Sequence, residues 1–482
     1  MQSETGVPPT GRLTTRNLTV LHAVGQALAI GPIFSAGLLT SLIASVAGYS
    51  TPLAVLLGSI GAVGLAYVIG IFGKRYSGAG SMYEYLARGG SPAFGIFSAG
   101  LYFIGSLFLG AGGIYLAIGF FGNLFDSQYL GGNIPFWVFG GAILIIVFLL
   151  NHYGVRIAIR GVLLLAAISS IPLLIVVIAI IASGGVDGNT LAVFSTAHSS
   201  WSNVFHGILF AVTLFIGFEA AAAIAEETHA PKRSIPLAVM LTVVLAAVFY
   251  ILVSYAAAIG FGHVAIAKGV WAESGSPIAA LATKYVGGWL GTIVDLVIIL
   301  DMISLSIAIM VSTSRGFFAL GRDGLLPRWL SNTSRHGTPL SGNLIVLGWS
   351  ALILIWGGLQ QWGKAAQLPN VLQNFLITTA AGSYLIELIY LFLAVVALRI
   401  LYREYGFGAR HLWKYVVVLL GLVTPILAFV GSLSPFPTYP NNLAVYFAGI
   451  VFILVAIWTA GLAMQHAERV KAAATYSTVE DI

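Results

Sequence analysis

The 482-residue chain contains no cysteine and very little charge. The missing thiols exclude disulfides, thiolate metal centres and cysteine nucleophiles, and they leave the redox compartment open. Charged residues make up 8% of the chain, whereas soluble domains carry about 25%. With 59% hydrophobic residues and a mean hydropathy of +0.97, the chain cannot cover a water-facing surface with charge. This excludes a cytosolic enzyme, a disordered chain and a disulfide scaffold, and places the protein in a lipid bilayer. The net charge of +6 does not indicate a nucleic-acid partner, because only 22 Lys and Arg are spread over the whole length. No G-x-x-x-x-G-K-[ST] segment supplies an ATP motor. No H-x-x-x-H or carboxylate–histidine cluster marks a metal site, so no metal and no organic cofactor is expected.

What the chain has in abundance is apolar runs long enough, at ~20 residues, to cross the hydrocarbon core as helices. Twelve are read: 18–47, 52–72, 93–121, 135–150, 161–183, 202–225, 236–262, 288–314, 341–358, 372–400, 415–433 and 442–464, called spans 1 to 12. They are continuous rather than alternating, which excludes a β-barrel. If the N-terminus is cytoplasmic, the outer loops hold only Lys268, Lys284 and Lys364, and every other Lys and Arg falls inside. That asymmetry obeys the positive-inside rule and predicts cytoplasmic termini. Residues 1–17 and 465–482 read as polar cytoplasmic tails, and no cleavable signal peptide is expected.

Two spans carry breaks. Span 1 runs through Ala29-Ile30-Gly31-Pro32-Ile33-Phe34-Ser35, and a Gly-Pro pair at mid-depth interrupts a helix or kinks it. Span 6 runs through Phe215-Ile216-Gly217-Phe218-Glu219, with glycine beside an ionisable group. Freed backbone groups cannot face lipid, so they line a cavity or meet a ligand. Glu219 is either structural, bonded to broken-helix backbone, or directly functional. The two spans are five apart, an odd number, so a second five-span unit inserts upside down, as in transporters with inverted repeats. Such a reading divides the chain into repeats at 18–183 and 202–400, with 415–464 as two further helices. Exposed N–H groups at one half-helix end suit a carboxylate, and carbonyls at the other suit an ammonium.

Four motifs in order carry a resemblance. Gly78-Ala79-Gly80-Ser81-Met82-Tyr83-Glu84-Tyr85 resembles G-G-x-Y-x-Y, and Asn151-His152-Tyr153-Gly154-Val155-Arg156 resembles N-x-x-G-V-K/R. Gly217-Phe218-Glu219 leading to Glu226-Glu227-Thr228 and Pro231-Lys232-Arg233-Ser234-Ile235-Pro236 resembles G-F-E followed by A-E-E-T-x-x-P-x-R-x-I-P. Gly321-Arg322-Asp323-Gly324-Leu325-Leu326-Pro327 resembles A-R-D-G-x-L-P. Over about residues 18–465 the chain thus resembles the amino acid–polyamine–organocation (APC) transporter superfamily. The resemblance implies an all-α fold of twelve transmembrane helices, a 5+5 inverted repeat plus two helices, shared with neurotransmitter/sodium symporters. It implies secondary transport of amino acids or related amines by alternating access, in a plasma-membrane permease that is not an enzyme. The family's G-[ST]-G-I-F break reads Ile30-Gly31-Pro32-Ile33-Phe34 here, and Pro32 lacks an N–H.

The substrate-binding candidates are therefore Ile30, Gly31, Ile33, Phe34 and Ser35 with Phe215, Gly217, Phe218 and Glu219, joined by side chains from spans 3, 8 and 10. Phe34 and Phe218 stand beside the breaks, where a ring can cover the guest or receive an ammonium. Some proton-coupled relatives place a lysine in span 5, and this chain has none at that depth. Ser169, Asp301 and Ser304 are candidates for a coupling ion, Na+ through hydroxyl and carbonyl oxygens or H+ on a carboxylate. Glu387 is a further candidate, or else a buried acid bonded to Tyr384 or Tyr390 on a similar helix face. A polyamine/organocation exchanger and, less favoured, a channel are the alternatives. The expected partners are the small-molecule substrate and the bilayer, with no nucleic acid.

Overall fold

A computed structural model of the protein describes residues 18–28, 35–122, 134–153, 155–366 and 368–471. Among them there is no β-strand, only isolated bridges at Leu18–Thr228 and Thr333–Pro339. Among the described residues, each expected span contains helix. Span 1 appears as Val20–Leu28 and Thr40–Ala47, the second preceded by a π-helical turn, Ser35–Leu39. Spans 2 to 5 are Thr51–Gly73, Pro92–Phe121, Phe136–His152 and Val155–Ser183. Span 6 begins as Trp201–Thr213, and spans 7 and 8 are Pro231–Phe261 and Gly288–Arg322. Spans 9 to 12 are Leu340–Leu359, Asn370–Tyr405, Leu412–Leu433 and Asn442–Gln465. Ten stretches of the described residues are long and apolar enough to cross a bilayer, one of them, Ala36–Gly73, holding the second half of span 1 and all of span 2. Phe136–His152 is a shorter apolar helix.

Local chemistry sets these boundaries. Spans 3 and 6 start where an extended serine caps the first turn: Ser91 Oγ accepts from Phe94 N at 3.3 Å and Ser200 Oγ from Asn203 N at 3.1 Å. Spans 8 and 10 run past the expected 314 and 400, to Arg322 and Tyr405. Both extensions carry charged residues, Arg315 and Arg322 in span 8 and Arg403 and Glu404 in span 10, and the helix continues through them.

The spans divide into a buried centre and a lipid-facing rim. In span 3, 89% of the most apolar window is buried inside the protein, against 22% in span 12. Spans 3 and 10 approach closely where Gly382 faces Gly105: a Cβ on Gly382 would lie 2.6 Å from the Gly105 carbonyl oxygen. Small residues permit such contacts where lipid supplies no hydrophobic drive for association. Trp137, Trp201 and Trp289, each within the first turn of a span, are exposed, as suits amphipathic rings at the membrane interface.

Spans 1 and 6 are antiparallel. Leu18 N donates to Glu227 O at 3.0 Å and His229 N to Leu18 O at 2.8 Å, pairing the start of span 1 with the end of span 6. At the opposite end Gly207 sits against both Ala47 and Ala54, so the chain reverses between spans 1 and 2. Gln26 Nε2 ties the first half of span 1 to span 8 through the Ala308 carbonyl at 2.9 Å.

Candidate functional site

Span 6 does not continue as an α-helix beyond Thr213. Leu214–Gly217 form a turn, and a 3-10 helix, Phe218–Glu227, follows. Gly217 has φ 108° and ψ −9°, in the left-handed region that residues with a Cβ enter at a cost. Its backbone N–H donates to Glu219 Oε2 at 3.0 Å. Tyr390 of span 10 donates its hydroxyl to the same oxygen at 2.6 Å, and Tyr102 of span 3 donates to Oε1 at 3.3 Å. Glu219 is buried, and its carboxylate occupies the anion seat at the start of the second half of span 6. The N–H group freed by the break is thus met from within the chain.

Two small cavities flank this turn. One is lined by Tyr102, Ser106 and Leu109 of span 3, Ile216, Gly217 and Glu219 of span 6, Ile309 and Ser312 of span 8, and Ile386 of span 10. The other lies among Ala27 and Leu28 of span 1, Leu214 to Ile216 and Phe218 of span 6, and Thr242, Val243, Ala246 and Tyr250 of span 7. Ile216 lines both, and each leaves about 10 Å³, roughly room for one water.

Of the sequence candidates, the structure brings Phe215, Gly217, Phe218 and Glu219 to this turn. Phe215 stands edge-on to Tyr250 with centroids 5.0 Å apart, and Phe218 packs on Tyr390 at 5.7 Å. Ile30, Gly31, Ile33 and Phe34 lie outside the described residues, and Ser35 opens the π-helical turn of span 1. Among the coupling candidates, Ser304 Oγ donates to Leu300 O at 3.0 Å, while Ser169 Oγ and Glu387 Oε2 are buried without a hydrogen-bond partner. Asp301 is buried. The expectation that a flanking tyrosine satisfies Glu387 is corrected: Tyr390 donates to Glu219 and Tyr384 to Ser432 O at 3.5 Å. Helix spacing places these rings near Glu387, but partners on other helices claim their hydroxyls.

Sequence reasoning named the contributing spans 3, 8 and 10 but missed their residues. Tyr102 and Tyr390 hold Glu219 from 117 and 171 positions away, a separation that no local pattern reveals.

The far end of span 6 is built differently. Arg315 Nε pairs with Glu227 Oε2 at 2.6 Å, both side chains buried, and Arg322 holds Glu226 at 2.9 and 3.2 Å. Ala79 N donates to Glu226 Oε1 at 2.7 Å and Tyr83 Oη to Asp323 Oδ2 at 2.7 Å, fastening the segment after span 2 onto spans 6 and 8. Glu84, on the short helix Met82–Gly89, lies 3.6 Å from Arg88. Burial, and then the neighbouring Glu226, push its carboxyl up to about 8.

A family model described as amino acid permease matches residues 22–471. A glutamate/gamma-aminobutyrate antiporter of Lactococcus lactis subsp. lactis (strain IL1403) is 26% identical over 235 residues, 48% of this chain and 46% of that protein. The branched-chain amino acid permease BcaP of Bacillus subtilis (strain 168) is 29% identical over 184 residues, 37% of this chain and 38% of that protein. These matches span less than half the length of either relative. A cadaverine/lysine antiporter of Escherichia coli (strain K12) is 26% identical over 387 residues, 79% of this chain and 82% of that protein.

Proposed function

This chain belongs to the amino acid permease family, within the APC superfamily, and from that premise we propose that it moves its substrate by alternating access around the turn at Gly217. It is an integral membrane transporter of amino acids or amines and not an enzyme. In the proposed site the guest lies between the break of span 1 and that of span 6. The N–H groups of Gly31, Ile33, Phe34 and Ser35 receive its carboxylate, because Glu219 already fills the corresponding seat on span 6. Its ammonium meets carbonyls of residues 214–217, where the first half of span 6 ends and its dipole is negative. Phe34, Phe215 and Phe218 cover it, with Ile30 as a further backbone wall.

The observation that carries this reading is the left-handed Gly217 held open by Glu219, Tyr102 and Tyr390 between two cavities. Antiparallel spans 1 and 6 support the inverted 5+5 arrangement, with repeats at 18–183 and 202–400. The carrier sits in the plasma membrane with its arginine-rich end, and both termini, in the cytoplasm. Coupling is to Na+ or H+, with Ser169, Asp301, Ser304 and Glu387 as the residues that hold the ion.

Exchange is the second reading, favoured by two of the three relatives being antiporters. Uptake of labelled amino acids and amines into proteoliposomes decides between them. Accumulation driven by a proton or sodium gradient into empty vesicles indicates symport; uptake only into preloaded vesicles indicates exchange. Currents that never saturate with substrate would contradict alternating access.

A further inference from the structure

We infer that Glu84 is a proton-binding site at the far end of span 6: the end closes with this acid neutral and sheds the proton as it parts. The inference rests on the alternating-access reading above, in which this end has to open. It adds a ligand, the proton, that closure takes up.

Glu84 is buried where nothing serves it. It is 1% exposed, and among the described residues neither carboxylate oxygen makes a hydrogen bond of acceptable geometry. The carboxylate lies so close to Gly78 that a Cβ there would overlap it. The spacing Ser81-x-x-Glu84 is that of a capping box, in which the acid would accept from the backbone N–H of Ser81. That box is not made. Ser81 N donates to Gly78 O at 3.4 Å, and Ser81 Oγ is buried without a partner. Glu84 therefore does not cap its own helix, Met82–Gly89.

Charged and titratable groups face it from several elements. On its own helix, Arg88 Nη1 stands 3.6 Å from Glu84 Oε1, beyond hydrogen-bond reach, and the guanidinium lies over the Tyr76 ring at 4.7 Å. Tyr83 gives its hydroxyl to Asp323 of span 8, and Tyr85 stacks on Phe72 at 5.4 Å. From span 6 comes Glu226, which accepts from Ala79 N and from both terminal nitrogens of Arg322. Glu227 beside it is held by Arg315. The end of span 2 brings exposed Lys74, and Arg75 bound to Glu404 of span 10. Span 10 otherwise presents Val396 and Ile400 to this helix. Span 3 packs Gly95 on Ala87 and has no ionisable residue between 92 and 101.

Two carboxylates thus meet the turn at 78–79, and Arg322 spends its terminal nitrogens on only one of them. An ionised Glu84 would be a second buried negative charge without a hydrogen bond, which is costly. A neutral Glu84 leaves the Glu226–Arg322 pair balanced. Burial and Glu226 accordingly outweigh Arg88 and Arg322 and push the carboxyl up to about 8. Parting the segment 78–89 from spans 6 and 8 admits water to Glu84 and returns it toward 4.5, so opening releases the proton. Reciprocally, removing the proton favours opening. The closure this group supplies is complete below 4.5 and is lost as pH rises through about 8.

The test uses a single introduced thiol, since the chain has no cysteine. Ser81→Cys replaces a buried side chain of the closing segment by one of nearly equal size. The full chain in nanodiscs is labelled with a charged methanethiosulfonate reagent from roughly pH 5 to pH 9, and each rate is divided by that of the Ser81→Cys/Glu84→Gln double variant, which cancels the ordinary ionisation of a thiol near ~8.5. The expected ratio climbs with pH by at most ~10-fold per unit and levels off above about 8. If Glu84→Gln does not fold, free glutathione labelled at the same pH is the divisor, and the same slope is expected. A ratio that stays flat across the range overturns the inference and leaves the transporter standing. A thiol that never reacts at any pH, yet labels fully in sodium dodecyl sulfate, reports an end that does not part and overturns both.

Discussion

The middle of span 6 and its far end, at Gly217 and Glu227, hold the protein together by opposite means. At the far end, full charges meet full charges: Arg315 with Glu227 and Arg322 with Glu226. At the middle one carboxylate is bound by two phenols and a backbone N–H, with no cation among the lining residues. Ion pairs fix two helices in one relative position and are expensive to separate. Hydrogen bonds from neutral donors hold a shape that a guest or a moving helix can rearrange. The difference assigns the latch to one end and the adaptable site to the centre.

The comparison breaks most severely at the buried pair. Arg315→Ala breaks the buried pair with Glu227 and should cost about 3–5 kcal/mol, read as a large fall in thermal unfolding temperature or loss of folded protein in detergent. Replacing both partners by apolar residues should recover most of that stability while loosening the end, read as faster exchange of backbone amides around Leu18 and His229.

At the centre, Tyr390→Phe removes the 2.6 Å bond to Glu219. Its effect should be about 1.5–3 kcal/mol, appearing mainly in transport kinetics; an unchanged KM and kcat would remove Glu219 from the site. Gly217→Ala forces a Cβ into the left-handed region at about 1–2 kcal/mol and should lower uptake while the protein still reaches the membrane.

Glu84 sharpens the contrast through pH. Its carboxyl stands at about 8 against an ordinary value of 4.5, raised chiefly by burial. Between those values the native state keeps a proton that the unfolded chain has lost, so stability falls as pH rises from 4.5 toward 8. The slope from this group is at most ~1.4 kcal/mol per pH unit. Glu84→Gln should flatten the unfolding-temperature profile in that window and leave it unchanged below. The smallest effect belongs to the exposed Lys471–Glu468 pair, whose removal should change stability by about 0–1 kcal/mol.

How much of this was legible in the sequence follows from the range of each interaction. Apolar runs are local, so the spans could be read from order and length alone. Gly217 beside Glu219 was legible because a glycine and an acid at mid-depth violate what a lipid-buried helix requires. The grip of Tyr102 and Tyr390 was not, because two hydroxyls among 20 tyrosines carry no mark of the partner they meet after folding. The part that Leu109, Ile309 and Ile386 take in the cavity lining was hidden for the same reason: such residues face lipid, core and cavity alike. Glu387 misled through a sound local rule, since helix spacing gave it tyrosine neighbours whose hydroxyls tertiary contacts then took. The lengths of spans 8 and 10 were underestimated because hydropathy reports the membrane and not the end of a helix.

The most direct test of the account is a structure of the full chain in a lipid nanodisc with a saturating concentration of an amino acid or amine that it transports. The account predicts density for the guest between residues 30–35 and 214–217, with span 6 interrupted at Gly217 and Glu219 still bound to Tyr390. A helix continuous through Gly217, or a guest seated away from that turn, would contradict it.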